Sequence, residues 1–220
     1  MRRREFILIP AKALSGLVLS SLLGDMVPLA AQDAVKVLLR FFTAAEAKII
    51  QAACDRIFPT DESGPGATEA GVVIYIDRQL AGPYGRDKYR YTKGPWFESI
   101  PEHGYQGKET PQQIYRAGIG QLGNDFAAVS PDQQDLRLEK IQDEHFFQLL
   151  RAHTVEGMFC DPLHGGNIGM VGWKLIEFPG PRMSYRYEID KYYGKAYTVE
   201  PKSLEQILRH PVKAVEDEEI

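Results

Sequence analysis

The 220-residue sequence has little of several features that define large classes of proteins. Its glycines and prolines are scattered without a period, which excludes collagen-like and low-complexity chains. Positive charge is not in excess, with 26 Lys and Arg against 30 Asp and Glu, and no basic stripe is present that could neutralise phosphates. We therefore expect no nucleic-acid partner. Aromatic residues make up 10% of the chain, which excludes disorder over most of its length.

The common catalytic motifs are missing as well. The sequence contains no GxSxG nucleophile elbow, no HExxH motif and no P-loop. A GxGxxG match occurs at residues 118–123, but a dinucleotide site needs a strand before the glycines and an acid about 20 residues after them. Here a capped helix start at Thr110 precedes the glycines, and apolar residues recur every four positions. We interpret the segment as a helix whose glycines permit close packing, and we expect no catalytic or cofactor-binding residue in this chain.

Five potential metal ligands lie near one another in the sequence: His145, His153, Glu156, Asp161 and His164. His153 and Glu156 are three residues apart and therefore share a helix face. His145 and His153 are eight apart, and the residues between them are mostly apolar, as in a buried helix. We interpret these polar groups as bonded within the fold and expect no metal site. A self-contained metalloenzyme that uses the five residues is the alternative.

The N-terminus has the layout of an export signal. Residues 1–31 hold four basic and two acidic side chains; a basic cluster is followed by a mostly apolar stretch over residues 6–23 and by small residues at 30–31. A membrane-spanning helix needs about 20 apolar residues. Pro10, Lys12 and several serines interrupt this stretch, so we favour a signal over a transmembrane anchor.

Arg3, Arg4 and Phe6 resemble the twin-arginine export pattern, in which two arginines are followed by any residue, Phe and an aliphatic residue. That route carries folded proteins, which a cell needs when the cargo, or a partner folded with it, takes up a cofactor in the cytoplasm. We expect a periplasmic location, or one at the periplasmic face of the inner membrane. The candidate cleavage sites lack a small residue three positions before the cut, so cleavage and retention as an anchor both stay open.

The two cysteines, Cys54 and Cys160, form an even pair in a chain that we expect to be exported. In an oxidising compartment they can form a disulfide. Two buried free thiols are the alternative, since cysteines in helices are often buried and unpaired.

Apolar periodicity and capping signals predict an all-α fold. The predicted helices cover about residues 43–58, 68–80, 111–129, 132–141 and 143–158, and a last short one begins at Ser203. Segments 82–110 and 160–201 are rich in Gly, Pro and Tyr and are predicted to be long loops. Long loops in compact domains are often binding segments.

The most distinctive pattern lies within residues 146–180, where a helix is expected to end near Gly157 and a Gly-Gly-Asn turn to follow. Its members are Asp161, Pro162, Gly165, Gly166, Asn167, Gly172, Trp173, Lys174, Leu175, Ile176, Phe178, Pro179 and Gly180. They form the motif DP-x-x-GGN…GW-K-L-I-x-F-PG, and residues 43–83 carry a second motif, T-x-x-E…P-x-D…PGA…GV…D…LAGP. Together the motifs resemble the gluconate 2-dehydrogenase subunit 3 family over about residues 43–182. His164 departs from the family, which often has Tyr there.

The resemblance implies a non-catalytic small subunit of an FAD-dependent sugar or sugar-acid dehydrogenase. In such complexes a larger flavoprotein, similar to the glucose-methanol-choline oxidoreductases, holds FAD and oxidises the substrate. A cytochrome c commonly accepts the electrons, which adds haem c in a third subunit. The small subunit is thought to help the flavoprotein fold, to escort it through the export channel and to stay bound. Gluconate, other sugar acids and glycosides are all open as substrates.

We place the candidate partner interface in the distinctive loop. Its candidate residues are Asp161, Pro162, Gly165, Gly166, Asn167, Trp173 and Phe178. The glycines and the asparagine are expected to form a tight turn, and Trp173 and Phe178 to offer large apolar side chains to a partner. The alternative is that Trp173 fills the core of this chain.

These predictions describe a single small helical domain with long Gly-, Pro- and aromatic-rich loops, preceded by an export signal. The predicted divisions are a signal segment over 1–31, a linker over 32–42, the helical domain over 43–182, and a C-terminal extension over 183–220 with a short helix and an acidic tail.

Overall fold

The structure is a computed structural model, and it describes residues 38–90, 94–97, 100–182 and 184–209. The predicted export signal, with Arg3, Arg4 and Phe6, lies outside the described residues, as does the acidic tail beyond residue 209. Within the described ranges, no helix has both the length and the apolar character needed to cross a bilayer.

The described part of the chain is helical and contains no β-strand, which confirms the all-α prediction for that part. Its helices are α1 (Ala44–Ile57), α2 (Val72–Ala81), α3 (Pro111–Leu122), α4 (Pro131–Lys140), α5 (His145–Phe159), α6 (Val171–Leu175), α7 (Arg186–Tyr192) and α8 (Leu204–Arg209). Short 3-10 turns cover Tyr84–Arg86, Pro101–His103, Phe126–Ala128, Pro162–His164 and Ile168–Met170.

The start of α1 follows the predicted capping box. The Thr43 hydroxyl accepts a hydrogen bond from the Glu46 N–H at 3.3 Å, and the Glu46 carboxylate accepts one from the Thr43 N–H at 2.8 Å. Two backbone donors that the first helical turn leaves free are thereby satisfied. The helix ends at Ile57, just before Phe58 and Pro59, as the sequence predicts.

Two helix boundaries differ from the prediction. Helix α2 begins at Val72 rather than near Thr68, because residues 68–71 form a turn in which Gly71 is left-handed, with φ of 68°. Helix α3 ends at Leu122 rather than near 129, because Gly123 has φ of 90° and stops the helix. The last part of the predicted helix contains instead the separate 3-10 turn Phe126–Ala128.

The GxGxxG match lies in α3 and its C-cap, which confirms the helical interpretation. At Gly118 a Cβ atom would lie 2.1 Å from the Phe146 ring of α5. The glycine therefore lets α3 and α5 approach closely, and the Phe146 ring occupies the space where other residues have a side chain.

Helices α1, α2, α3 and α5 pack around one apolar core, with α4 against α1. Its largest fully buried members include Ile50, Ile76, Leu80, Tyr115, Leu122, Phe126, Leu150 and Met158. These residues come from segments spread over more than 100 positions of the chain, so α1, α2, α3 and α5 form one packed unit around a shared core.

The buried carboxylate of Asp77 attaches the segment before α1 to this core. It accepts hydrogen bonds from the backbone N–H groups of Arg40, Phe41 and Phe42 at 2.7, 3.0 and 2.8 Å. The Arg116 guanidinium reinforces the attachment, since it lies 4.2 Å from the Phe41 ring centroid and donates to the Phe41 carbonyl at 2.9 Å. The end of the predicted linker is thus fixed against α2 and α3.

The prediction of a long loop over residues 160–201 is wrong in part, because α6 and α7 lie within it. These helices have five and seven residues. Helices this short are marginal on their own, and tertiary packing decides whether they form.

Candidate functional site: the signature loop

Residues 160–180, here called the signature loop, begin directly after α5. The Cys160 N–H still bonds to the Glu156 carbonyl at 2.8 Å, and the chain then turns at Asp161. One carboxylate oxygen of Asp161 accepts from the Leu163 N–H at 3.0 Å and so caps the turn Pro162–His164. Gly165 ends that turn with φ of 100°.

Asn167 joins the start of the signature loop to the first turn of α6. Its side-chain amide donates to the Cys160 carbonyl at 2.9 Å, and its amide oxygen accepts from the Gly172 N–H at 2.8 Å. Its own N–H bonds to the Gly157 carbonyl at 2.8 Å. The side chain is completely buried and the residue has φ of 48°, a conformation that Asn tolerates better than most residues.

Gly166 and Gly172 bring the loop into contact with the last turn of α5. A Cβ atom at Gly166 would lie 2.3 Å from the Gly157 carbonyl oxygen, and one at Gly172 would lie 1.9 Å from the Met158 carbonyl oxygen. Either position would require the loop to move away from α5 if it carried a side chain. The glycines of the motif therefore fix the position of the loop.

Trp173 points into the core of this chain and is only 3% exposed. Its indole N–H donates to the Phe159 carbonyl at 2.7 Å, and its ring meets Phe178 edge to face at 5.1 Å between centroids. The alternative role for Trp173, in the chain's own core, is therefore the one observed. Phe178 is half-buried beside it.

Three large apolar side chains of the signature loop remain exposed: Leu163, Ile168 and Ile176. The loop backbone that carries them is fixed at several points, including a hydrogen bond from the Ile168 N–H to the Ala70 carbonyl at 3.0 Å. The buried motif residues thus hold a loop whose outer surface is partly apolar. The sequence motif marked the supporting residues more clearly than the exposed ones.

The chain matches the sequence model of the family described as "Gluconate 2-dehydrogenase subunit 3" over residues 44–180. The chain belongs to the gluconate 2-dehydrogenase subunit 3 family. The matched range begins at the first residue of α1 and ends with the signature loop. No curated protein and no solved structure matches the chain.

In this member of the gluconate 2-dehydrogenase subunit 3 family, the five potential metal ligands are not brought together. His145 stacks on Tyr105 at 4.0 Å between centroids, and His164 is exposed on the signature loop. Glu156 accepts a hydrogen bond from the Tyr75 hydroxyl at 2.9 Å. No cluster of three or more potential ligands occurs among the described residues.

His153 lies in a buried network that the sequence did not predict. Its Nδ1 is 2.8 Å from the Tyr115 hydroxyl and its Nε2 is 2.9 Å from the Tyr84 hydroxyl. Burial lowers the pKa of His153 to about 4, so the ring is neutral at physiological pH. A neutral imidazole has one N–H, so one tyrosine accepts a hydrogen bond and the other donates one. The partners are 38 and 69 residues away, and no local sequence pattern indicates them.

Both cysteines are free thiols in the structure, which is one of the two possibilities that the sequence leaves open. Cys54 is buried in α1 and accepts a hydrogen bond from the Thr154 hydroxyl at 3.3 Å. The Cys160 thiol donates a hydrogen bond to the Gly157 carbonyl oxygen, with 3.7 Å between Sγ and the oxygen. Burial raises the pKa of Cys54 to about 12 and that of Cys160 to about 11, so both thiols stay protonated and unreactive.

A half-open cavity of about 190 Å³ lies between the segment after α2 and the start of α5. Tyr84, Tyr105, His145 and Leu149 are among its lining residues. Arg90 also lines it, but its guanidinium is bound to the Asp87 carboxylate and to the Gly107 and Glu109 carbonyls. The positive charge of Arg90 is therefore balanced within the fold by the Asp87 carboxylate.

Proposed function

We propose that this chain is the non-catalytic small subunit of a periplasmic FAD-dependent sugar or sugar-acid dehydrogenase of the gluconate 2-dehydrogenase type. Its role is to stabilise the flavoprotein subunit and to escort it through twin-arginine export. The observation that carries the proposal is the family match over residues 44–180. FAD belongs to the large subunit, and haem c to a cytochrome subunit that accepts the electrons.

The signature loop supports a binding role. Asn167 and Trp173 are buried and internally bonded, and Gly166 packs closely on α5, so all three act by holding the loop in place. Contact with the flavoprotein then falls to the exposed side chains Leu163 and Ile176 and their neighbours. Exposed aliphatic side chains on a fixed backbone suit a permanent subunit interface, because little conformational entropy is lost on association.

The engagement of the polar side chains supports a non-catalytic role. His153 is neutral and held by two tyrosines, and Glu156 accepts from Tyr75. A general base needs a free lone pair within reach of a substrate. Both ring nitrogens of His153 are engaged within the fold, so this histidine is not available as a base, and we assign substrate oxidation to the flavoprotein.

Co-purification tests the proposal. The full-length chain, tagged at its C-terminus, is co-expressed with the candidate flavoprotein subunit and isolated from the periplasm. We expect a complex with the flavin absorbance, from which Ile176→Asp releases the flavoprotein. The matched control is Leu136→Asp, which places the same charge at an exposed leucine of α4 and should leave the complex intact. A flavin-containing, active chain isolated without any partner would contradict the proposal.

A further inference from the structure

The described part of the segment that follows the family match carries five exposed large apolar side chains. Residues 184–209, here called the C-terminal arm, contain α7 and α8. Tyr185, Ile189 and Tyr193 are spaced by four residues along α7 and its caps, which places them on one helix face. Ile189 is 61% exposed and Tyr193 is 86% exposed. On α8, Leu204 and Leu208 repeat the spacing, and Leu208 is 70% exposed.

The arm is attached to the signature loop, so these side chains are presented on a fixed backbone. The Leu204 N–H donates to the second carboxylate oxygen of Asp161 at 2.7 Å, and the Lys202 N–H donates to the Pro179 carbonyl at 3.3 Å. At the other end, Arg182 pairs with Glu188 at 2.5 Å and bonds to the Tyr197 hydroxyl at 3.1 Å.

Asp161 makes the arm and the signature loop one surface. Its two carboxylate oxygens accept from the N–H groups of Leu163 and Leu204, so the backbones of both leucines meet at a single side chain. Both leucines are exposed. The apolar surface of the signature loop therefore continues onto α8.

We propose that the C-terminal arm is a second docking surface, and that its occupant is an apolar groove with a basic rim on the flavoprotein subunit. The inference rests on the proposed function and extends the interface beyond the matched family range. Tyrosine is enriched at protein interfaces because it buries a large rigid ring at low entropic cost and keeps a polar tip. The basic rim follows from the sequence after α8, where residues 210–220 hold four acidic side chains against one lysine.

Charge favours a protein over a membrane as the occupant. Helices that lie on bilayers carry an excess of Lys and Arg, which attract anionic headgroups. Residues 184–220 contain six Lys and Arg against eight Asp and Glu. The acidic excess lies in residues 216–219, so anionic lipid would repel this end of the chain, whereas a basic rim on a protein groove would attract it.

The test compares the affinity of the full-length chain and its variants for the purified flavoprotein. Ile189→Ser with Leu208→Ser should weaken binding by on the order of tenfold or more, which corresponds to about 1.4 kcal/mol, because two apolar side chains are removed from the proposed interface. Removal of residues 184–220 should weaken it at least as much. Leu136→Ser is the matched control and should bind as the wild type does. Both serine variants should melt as the wild type does, because the side chains they replace are exposed.

Each remaining outcome decides against the proposal in a different way. Wild-type affinity in the double variant overturns the docking role of the arm and leaves the proposed function standing. A wild-type chain that does not bind the flavoprotein at all overturns the proposed function, and this inference with it. Two further results assign the surface to another occupant and overturn the inference: sedimentation with phosphatidylglycerol vesicles that the double variant loses, or concentration-dependent self-association that it loses.

Discussion

Trp173 is a large aromatic side chain that the signature loop turns inward, onto the end of α5. It is buried, its N–H is bonded to the Phe159 carbonyl, and its ring packs on Phe178. Its effect on a partner is therefore indirect, through the position of the loop backbone. Changes at this residue should act first on the stability of the chain.

We predict that Trp173→Ala lowers the free energy of unfolding by about 3–5 kcal/mol, as expected for removal of a buried aromatic side chain. Urea unfolding of the purified chain measures it. Trp173→Phe is the graded control: it keeps an aromatic ring beside Phe178 but leaves the Phe159 carbonyl without its donor, and should cost about 1–3 kcal/mol. An alanine variant with the wild-type unfolding midpoint would contradict the buried role.

We predict that His153 makes the chain less stable in acid. Burial lowers its pKa to about 4 from an ordinary 6.5, so the folded state disfavours the proton more than the unfolded state does. The free energy of unfolding therefore has its full value, as far as His153 is concerned, above about pH 6.5. It decreases by about 3 kcal/mol in total as the pH falls toward 4.

Unfolding free energies measured across that pH range in the wild type and in His153→Gln check this prediction. In His153→Gln, the free energy of unfolding should not show this decrease between pH 6.5 and 4. His164→Gln, at an exposed histidine of the signature loop, should show it as the wild type does. A slope that is equal in the wild type and in His153→Gln would show that the imidazole does not titrate as described.

At the scale of single residues, local partners were predictable from the sequence and distant ones were not. Thr43 and Glu46 are three positions apart, and their capping box follows from spacing alone. Asn167 was placed in a turn, but its bonds to Cys160 and Gly172 depend on the path of the loop around it. Asp77 and His153 have partners at least 35 residues away, beyond the reach of any spacing rule.

At the scale of helices, starts were easier to predict than ends. The side chains of Thr43, Thr110 and Ser130 accept backbone hydrogen bonds at the first turns of α1, α3 and α4, as their positions in the sequence indicate. The end of α3 depended on a glycine that adopts positive φ, although Gly118 and Gly120 of the same helix do not. Helices α6 and α7 were missed because they are too short to show a periodic pattern.

The junction before α1 gives a prediction at this scale. In the wild type, both carboxylate oxygens of Asp77 accept hydrogen bonds from the backbone N–H groups of residues 40–42. Asp77→Asn keeps one of these oxygens and replaces the other with an NH₂ group, which is a donor and cannot accept from an N–H. We expect faster amide hydrogen exchange at these three positions than in the wild type, with α5 still protected. Mass-spectrometric exchange measures it. Asp132→Asn, an exposed acid of α4, is the control, and unchanged exchange at 40–42 in Asp77→Asn would refute the attachment.

At the scale of the whole molecule, the described fold has two parts with different roles. The α1, α2, α3 and α5 core supplies stability, and it holds the signature loop through Asn167, Gly166 and Trp173. The loop and the C-terminal arm, joined at Asp161, carry much of the exposed apolar surface. A core that supports a surface, with its buried Asp77 and His153 bonded internally, suits an accessory subunit.

The escort role is the central claim, and export of the flavoprotein tests it most directly. The double variant Arg3→Lys, Arg4→Lys keeps the charge of the N-terminus but removes the twin-arginine pattern. Cells that express this variant or the wild type together with the flavoprotein are fractionated, and both chains are measured in cytoplasm and periplasm. We predict that both chains reach the periplasm with the wild type and that both stay in the cytoplasm with the variant. A flavoprotein that still reaches the periplasm beside the variant would contradict the escort role.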